Sequence, residues 1–213
     1  MSFEWIIFDL DNTLYPRDSG LMEELGRRIQ AWLCDRLNLN CHEARDLRRD
    51  YLHRYGTTLG GLMAERRVEA KDYLDFVHDI RIEDYLQPHP ALREMLEGIP
   101  LRRVVYTNAT SEYGQRVLQA LGVIDQFERI IGIDEVGLRN KLCREAYIRM
   151  LALLETLGPA CMMVEDSTRN LQPAKDLGLT TILVAGEAEE YVDFVVEGVL
   201  EVGRLVDRLL RHA

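Results

Sequence analysis

Residues 6–16 of this 213-residue chain read IIFDLDNTLYP, and the apolar run that opens them ends in two aspartates, Asp9 and Asp11. On an extended strand, residues two apart point to the same face, so these carboxylates are expected to crowd each other. At about 4 Å two such charges repel by about 1 kcal/mol in water and by about 4 kcal/mol at an intermediate dielectric. The stretch therefore predicts either a pair of solvated turn formers or a site that holds a cation between the two aspartates.

The overall composition is that of a globular protein, with 47% hydrophobic and 29% charged residues. A net charge of −10 argues against binding to a nucleic-acid polymer or an anionic membrane, although a bound cation would still allow a small phosphorylated substrate. The four cysteines form no CxxC pair, no signal-peptide pattern is visible, and the apolar runs are too short to span a membrane. We therefore expect a cytoplasmic protein with reduced thiols, and its oligomeric state is left open.

Six short runs of apolar residues predict buried β-strands. They are WIIF (5–8), RVVY (103–106), RIIGI (129–133), CMMV (161–164), TTILVA (180–185) and the weaker DFVV (193–196), which is expected at an edge. Amphipathic patterns predict helices at 112–121, 143–157 and about 170–177, each followed closely by a glycine. This alternation of strands and helices after residue 101 is typical of βαβ units and predicts a parallel sheet.

The segment between the first two predicted strands has a different character, because only helical patterns occur between about residues 18 and 97. A single crossover helix needs far fewer residues than this. The sequence thus predicts an α/β fold, in which a Rossmann-like, doubly wound parallel sheet carries an inserted α-helical cap. We assign residues 1–16 and 89–213 to the core and residues 17–88 to the cap.

Polar side chains follow three of the predicted strands at the point where each strand ends. Asp9 follows the first strand, Thr107 and Asn108 follow the second, and Glu165 and Asp166 follow CMMV. The carboxyl ends of parallel strands meet at one edge of a sheet, where ligands bind. Each residue taken singly could simply cap the next helix or turn. Three such strand ends with two acidic pairs favour a shared site instead.

Asp9, Asp11, Glu165 and Asp166 would repel one another strongly at such a site unless a cation joined them. Several carboxylates without neighbouring histidine or cysteine favour Mg²⁺ over zinc, and Mg²⁺ commonly shares its ligands with a phosphate group. Lys141, which lies just before a predicted helix, is the best candidate for a positive side chain at the same place. The alternative is that it is an ordinary solvated lysine.

Four motifs carry a resemblance to a known family. FDLDNTLY, VVYTNAT, Lys141 and VEDSTRN occur in the order and approximate spacing of the motifs of the haloacid dehalogenase-like (HAD) hydrolase superfamily. The resemblance extends over nearly the whole chain, because the inserted helices look like the helical cap of that superfamily. FDLDNTLYP, RYGTTLGGL and VHDIRIEDYLQPHPALREML also resemble the pyrimidine 5′-nucleotidase branch. This implies a phosphatase of a small phosphorylated metabolite, with nucleoside 5′-monophosphates as first candidates.

The resemblance implies roles for the acidic residues. Asp9 should be the nucleophile that forms an aspartyl-phosphate, and Asp11 should be the general acid and then the general base. Mg²⁺ should be held by the carboxylate of Asp9, the main-chain carbonyl of Asp11 and Asp166. Glu165 should assist directly or through water.

The remaining motif residues should act on the phosphoryl group. Thr107 with Asn108 should bind its oxygens, and Lys141 should neutralise charge on the nucleophile and the phosphate. In the family a proline often follows this lysine, whereas here Leu142 follows it, which puts the local turn in question. Asn140 or Arg139 could share the task of the lysine.

The predicted cap contains one candidate recognition loop. Tyr55, Thr57 and Thr58 lie beside glycines between two predicted helices, where they would present an aromatic face and small polar groups to a base. The alternative is an ordinary turn between helices. A lid of this kind would close over the core to exclude water.

Four other functions compete with a nucleotidase. An enzyme that displaces halide from carbon needs no proton donor for its leaving group, so the presence of Asp11 favours phosphoryl transfer. A phosphatase of another metabolite such as phosphoglycolate, or a sugar phosphomutase of the same fold, would keep the same motifs. A phospho-ligand binding protein without catalysis is also conceivable, but such a protein would be expected to lose Asp9 or Asp11.

Overall fold

The computed structural model describes residues 3–212 and has a six-stranded parallel β-sheet at its centre. The strands are β1 (Trp5–Phe8), β2 (Arg102–Tyr106), β3 (Arg129–Ile131), β4 (Cys161–Glu165), β5 (Thr180–Val184) and β6 (Phe194–Val196). They lie side by side in the order β3-β2-β1-β4-β5-β6. The strand order reverses between β1 and β4, which makes the sheet doubly wound and Rossmann-like. All six predicted strands are confirmed, and β6 forms an edge as expected.

Helices precede, connect and follow the strands. Within the described residues they are α1 (Leu21–Leu37), α2 (Cys41–Tyr55), α3 (Thr58–Arg66), α4 (Ala70–His78), α5 (Pro90–Glu97), α6 (Ser111–Ala120), α7 (Arg144–Leu153), α8 (Thr168–Asp176) and α9 (Val202–His212). None of these helices combines the length and the apolar character needed to cross a bilayer.

The central strands are buried because both faces of the sheet are covered. Alternate residues of a strand point to opposite faces, so Ile6 and Phe8 join one apolar cluster while Trp5 and Ile7 join the other. The first cluster continues without interruption into the buried side chains of α1 to α4, and the second is closed by α7 and α8. This arrangement accounts for the continuous apolar runs that predicted the strands.

One predicted helix ends earlier than expected. The sequence pattern predicted a helix to residue 157, but α7 stops at Leu153. Glu155 adopts a left-handed backbone conformation with φ of 53°, and the amide of Thr156 donates to the carbonyl of Leu151. Leu157 is consequently 76% exposed rather than packed on the helix face. The leucines therefore keep helical spacing beyond the true end of the helix. The turn itself is made by Glu155, which is not a glycine and so gave no sign of it in the sequence.

The segment predicted as a cap is helical, as expected, and α1 to α4 occupy most of it. Asn40 begins α2 with a capping box, in which its side chain accepts from the amides of His42 and Glu43 and the Glu43 side chain accepts from the amide of Asn40. Helix α5, whose first residues follow the predicted boundary at 88, packs with α9 of the core. The division of the chain at residues 16 and 88 remains a prediction.

Candidate active site

The ends of β1, β2 and β4 meet at one edge of the sheet. Phe8 of β1 is in register with Val105 of β2 and with Val164 of β4, so the residues that follow each strand become neighbours. The amide of Asp9 donates to the carbonyl of Val164 at 2.9 Å, which fixes the direction in which the chain leaves β1. The parallel register therefore brings together motifs that lie far apart in the sequence.

Asp9 is buried, and each of its carboxylate oxygens has a partner. Oδ2 accepts a hydrogen bond of 2.9 Å from the hydroxyl of Thr13, and Oδ1 forms an ion pair with the ammonium of Lys141. Burial and the charge of Asp166 raise the pKa of Asp9 against the lowering effect of Lys141. These partners leave the carboxylate oriented toward the edge of the sheet rather than free to rotate.

Lys141 is fully buried and bridges two acidic residues. Its Nζ pairs with Asp9 and lies 2.8 Å from Oε2 of Glu165, and it sits 5.2 Å from the centre of the Tyr106 ring. Burial alone would lower the pKa of the ammonium, but the charges of Asp9 and Glu165 outweigh it and hold that pKa above its usual value. The backbone amide of Lys141 donates to Oδ1 of Asn108 at 2.9 Å. A solvated lysine is thus excluded.

Three carboxylates converge around this lysine. One oxygen each of Asp9, Glu165 and Asp166 can be chosen so that all three lie within 4.8 Å of one another. Burial, followed by the charge of Asp9, raises the pKa of Glu165 to about 8. Oε1 of Glu165 accepts from the amides of Asp166 and Ser167 at 3.2 and 3.3 Å, so both oxygens of this carboxylate have protein partners.

The third carboxylate is the most accessible one. Oδ2 of Asp166 pairs at 2.8 Å with Arg17, whose side chain is 67% exposed and therefore easily displaced. When all three carboxyls are ionised, their charge exceeds that of the Lys141 ammonium, and a divalent cation would offset the difference. Its donor atoms are all oxygens, as Mg²⁺ prefers.

Asp11 lies apart from the lysine and is held by two tyrosines. The hydroxyls of Tyr15 and Tyr113 both donate to Oδ1 of Asp11, the latter at 3.4 Å. Burial, followed by the charge of Asp9, raises the pKa of Asp11 to about 7. The two aspartates of the opening stretch therefore occupy different environments, one beside a cation and the other beside phenol hydroxyls.

The residues after β2 turn back toward the lysine. Thr107 is buried, and its hydroxyl accepts from the amide of Ala109 at 3.0 Å. The side-chain oxygen of Asn108 accepts a hydrogen bond from the backbone amide of Lys141. Asn108 thus contacts the segment that carries the lysine, and Thr107 lies beside Asn108 at the end of β2.

A cavity of about 180 Å³ separates the cap from the core beside Asp11. Its lining is mostly apolar, with a few polar side chains contributed by both parts: Asp11, Arg48, Thr57, Thr58, His78 and Asn108. The hydroxyl of Thr58 and Nε of Arg48 are buried there without a hydrogen-bond partner among the described residues. The Tyr73 hydroxyl lies near Thr58 but is not in hydrogen-bonding geometry with it.

The recognition loop predicted from the sequence divides between two places. Thr57 begins α3, where its hydroxyl accepts from the amide of Gly60, and Thr58 faces the cavity. Tyr55 lies outside the lining of the cavity; its hydroxyl donates to Glu65 at 2.7 Å and its ring stacks under the guanidinium of Arg54.

Sequence reasoning did not single out several residues that surround the site. Thr13 carried a usable signal, because it stands four residues after Asp9 in the same short motif. Tyr15 and Tyr113 looked like helix-face or turn aromatics, and Arg48 was one of many arginines in the helical segment. Only the fold shows that these side chains point to one place.

Comparison with known proteins decides the family. The model of the haloacid dehalogenase-like hydrolases matches residues 3–178 of the chain. The protein belongs to this family of hydrolases. The resemblance to the haloacid dehalogenase-like hydrolases is confirmed, and the matched segment contains the four motifs that carried it.

Three relatives illustrate the range of the HAD-like hydrolases to which this chain is similar. It is 24% identical over 226 aligned positions to a glyceraldehyde 3-phosphate phosphatase from Methanocaldococcus jannaschii, covering 96% of this chain and 97% of the relative. It is 26% identical over 132 residues to phosphate metabolism protein 8 from Saccharomyces cerevisiae, of whose length it spans only 41%. The solved HAD phosphatase from Thermococcus onnurineus superposes with a TM-score of 0.63 at 18% identity, covering 96% of this chain and 98% of that one, which shows a shared fold.

Proposed function

We propose that this protein is a Mg²⁺-dependent phosphate monoester hydrolase that works through an aspartyl-phosphate. The observation that carries the proposal is the environment of Asp9, a buried carboxylate held between the Thr13 hydroxyl and the Lys141 ammonium at the switch point of the sheet. Asp11 supports it, because this second carboxyl lines the cavity beside the nucleophile, where a leaving group would be bound. Displacement of halide would need no such proton donor.

The chemistry follows from the positions of these side chains. The Asp9 carboxylate attacks phosphorus, an aspartyl-phosphate bond forms, and the ester P–O bond breaks as the leaving oxygen takes a proton from Asp11. Asp11, now ionised, removes a proton from a water molecule as the water oxygen attacks phosphorus. A new P–O bond forms, the bond between Asp9 and phosphorus breaks, and inorganic phosphate leaves. Lys141, Thr107 and Asn108 stabilise the charge that develops on the phosphoryl oxygens.

The carboxylates fit the expected metal. Asp9 and Asp166 would be its side-chain ligands, joined by the main-chain carbonyl of Asp11. Glu165, whose oxygens pair with Lys141 and with the amides of Asp166 and Ser167, would assist through water or through Lys141. When bound, Mg²⁺ supplies positive charge that offsets repulsion between the carboxylates and a phosphate dianion.

For the leaving group we propose a nucleoside, which makes nucleoside 5′-monophosphates the first substrate candidates. The support is the resemblance of the cap sequence to pyrimidine 5′-nucleotidases, together with the unpartnered donors of Arg48 and Thr58 in the cavity. Carbonyl oxygens of a pyrimidine are acceptors that would satisfy both groups.

A phosphorylated metabolite smaller than a nucleotide is the second candidate. The cavity of about 180 Å³ is smaller than the ~300 Å³ at the lower end of pockets for drug-sized ligands. The similarity over nearly full length to a glyceraldehyde 3-phosphate phosphatase points in the same direction.

The proposal is tested with p-nitrophenyl phosphate as a general ester. We expect the purified protein to hydrolyse it with Mg²⁺ and to lose activity in a chelator, with recovery on addition of Mg²⁺ and poor recovery with Ca²⁺, whose larger and looser ligand shell disturbs in-line attack. Asp9→Asn should fold but lose activity by about a thousandfold or more, because an amide cannot form the acyl phosphate. Near-normal turnover of this variant, or full activity without metal, would contradict the proposal.

A panel of natural esters then separates the two substrate candidates. We expect UMP and CMP to exceed AMP, phosphoglycolate, glyceraldehyde 3-phosphate and hexose phosphates in kcat/KM. A strong preference for the triose or glycolate ester would reject the nucleotide but keep the phosphatase.

A further inference from the structure

The two residues that flank Lys141 both contact the turn between α2 and α3 of the cap. Asn140 is buried, and its Nδ2 donates to the carbonyl of Tyr55 at 2.7 Å while lying 3.4 Å from the hydroxyl of Thr57. Its side-chain oxygen accepts from the amide of Leu142 at 3.0 Å, which fixes the orientation of the amide group. One core segment thus carries both the catalytic lysine and a contact to the cap.

Leu142 makes the second contact, with the backbone of Gly56. Gly56 ends α2 in a left-handed conformation with φ of 79°, which favours glycine. A Cβ atom at this position would collide with the side chain of Leu142, which would have to move. The conformation of the turn therefore favours glycine, and Leu142 packs over the space that glycine leaves.

The departure from the usual family sequence explains how the contact is built. A proline after the lysine has no amide hydrogen and could not donate to the side chain of Asn140. Leu142 supplies that hydrogen and also the side chain that covers Gly56. The replacement at 142 and the contact made by Asn140 therefore belong to one arrangement.

We propose that Asn140 and Leu142 form a latch that docks the α2–α3 turn of the cap on the core, with Asn140 as a positioning residue for substrate recognition. On the core side the same segment is held by the hydrogen bond from the amide of Lys141 to Asn108. On the cap side the turn leads directly into Thr57 and Thr58, which line the cavity. The latch sets the distance between the recognition side chains and the phosphate site, and its effect on specificity rests on the function proposed above.

Arg169 makes a supporting contact at the other end of the same face. Its guanidinium donates to the carbonyls of Leu52 and His53 at 3.3 and 3.0 Å, where α2 ends. This contact is exposed and solvent competes for it, so it contributes less than the buried amide of Asn140.

Hydrogen exchange of the whole protein tests the latch without reference to activity. Asn140→Ala and Leu142→Pro should each raise exchange about tenfold in the α2–α3 turn and the first turn of α3, because the loss of one buried hydrogen bond shifts the local opening equilibrium by that order. Leu142→Ala keeps the amide hydrogen and should give a smaller rise. Strands β1 and β4 should exchange as in the wild type, which shows that the variants are folded. Arg49→Ala, on an exposed side of α2 where Arg49 pairs with Asp46, should change nothing.

A kinetic ratio tests the positioning role. The ratio of kcat/KM for UMP to that for p-nitrophenyl phosphate should fall about tenfold in Asn140→Ala, mainly through KM for UMP. Gly56→Ala disrupts the latch from the cap side, so the double variant with Asn140→Ala should lose little more than either single variant.

The outcomes separate the two proposals. Two results would overturn the latch. One is hydrogen exchange in the turn that does not change in the variants. The other is a double variant in which the losses in the kcat/KM ratio from Gly56→Ala and Asn140→Ala are fully additive. Absence of turnover of both esters by the wild type would overturn the proposed function, while the exchange experiment would still decide whether the latch exists.

Discussion

At the scale of single residues, the site depends on how two similar aspartates are made different. Asp9 pairs with the buried ammonium of Lys141, whereas Asp11 accepts hydrogen bonds from Tyr15 and Tyr113. The ammonium beside Asp9 opposes the rise in its pKa and favours the ionised form that attacks, whereas Asp11, whose pKa burial raises to about 7, can carry a proton. Both aspartates follow β1, but their distant partners, Lys141 and Tyr113, come from different parts of the chain.

Asp11→Asn should separate the two halves of the proposed reaction. Turnover of UMP should fall by about 10²- to 10⁴-fold, because the alkoxide receives no proton and no base activates water. With p-nitrophenyl phosphate the leaving group needs no proton, so rapid mixing should show a burst of about one nitrophenolate per active site followed by slow turnover.

Asp9→Asn is the control for this measurement and should give no burst. Equal losses for both esters without a burst in Asp11→Asn would show that this residue does not act as the acid.

At the scale of elements, the cap contributes polar groups that the folded protein itself does not satisfy. Thr58, at the start of α3, is only 2% exposed and its hydroxyl has no partner within the described part of the chain. A buried hydroxyl of this kind costs about 1–3 kcal/mol. Its retention at the cavity is readily understood if a ligand supplies the missing partner.

Thr58→Val should therefore stabilise the protein while it weakens recognition. We expect a higher thermal midpoint, because the unpartnered hydroxyl is removed without a change in shape. The kcat/KM for UMP should fall by about tenfold and that for p-nitrophenyl phosphate by much less.

Tyr55→Phe is the matched variant, since it removes a hydroxyl that lies outside the cavity, where it donates to Glu65. This substitution should leave kcat/KM unchanged for both UMP and p-nitrophenyl phosphate. A lower thermal midpoint for Thr58→Val, or the same loss for both esters, would show that the hydroxyl serves the fold rather than the ligand.

At the scale of the whole molecule, His78 joins the end of α4 to the core. Its ring stacks on Tyr113 with centroids 4.6 Å apart, and its Nδ1 lies 3.2 Å from the hydroxyl of Thr110. Burial, assisted by the charge of Arg116, lowers the pKa of His78 from its usual value of 6.5 to about 4, with Asp134 and Asp75 opposing the shift weakly. The imidazole is therefore neutral in the folded protein at pH 7.

This shift predicts a loss of stability in mild acid. In the unfolded chain His78 binds a proton below about pH 6.5, whereas in the folded protein it binds one only below about pH 4. The free energy of unfolding therefore decreases as the pH falls through this interval. Between pH 7 and pH 5 its contribution is up to about 2 kcal/mol of the free energy of unfolding.

Urea unfolding of the wild type and of His78→Gln at both pH values isolates this contribution, because the carboxylates titrate alike in the two proteins. The wild type should lose more stability than the variant by that amount. Parallel changes in both proteins would contradict a depressed pKa for His78.

Much of the architecture was accessible from sequence because local physics dictates it. The runs at residues 5–8 and 161–164 are apolar at every position, as strands covered on both faces must be. An acidic residue follows each run directly. Parallel strands share one edge, so the convergence of Asp9, Glu165 and Asp166 followed from topology alone. The predicted end of α7 was wrong, because the spacing of leucines does not indicate that Glu155 adopts a left-handed backbone conformation.

What only the tertiary structure decided is which side chains complete the site. The burial of Lys141 against Asp9, the hydrogen bond from Tyr113 to Asp11 and the contact of Asn140 with the cap all join residues that are remote in the chain. Periodicity and strand ends are local properties, and the sequence by itself therefore determined the sheet, the acidic edge and the family. Pairing between distant polar side chains depends on how the helices pack against one another and against the sheet, and no local pattern in the sequence encodes this packing. Only the folded chain therefore shows which of these side chains contact each other.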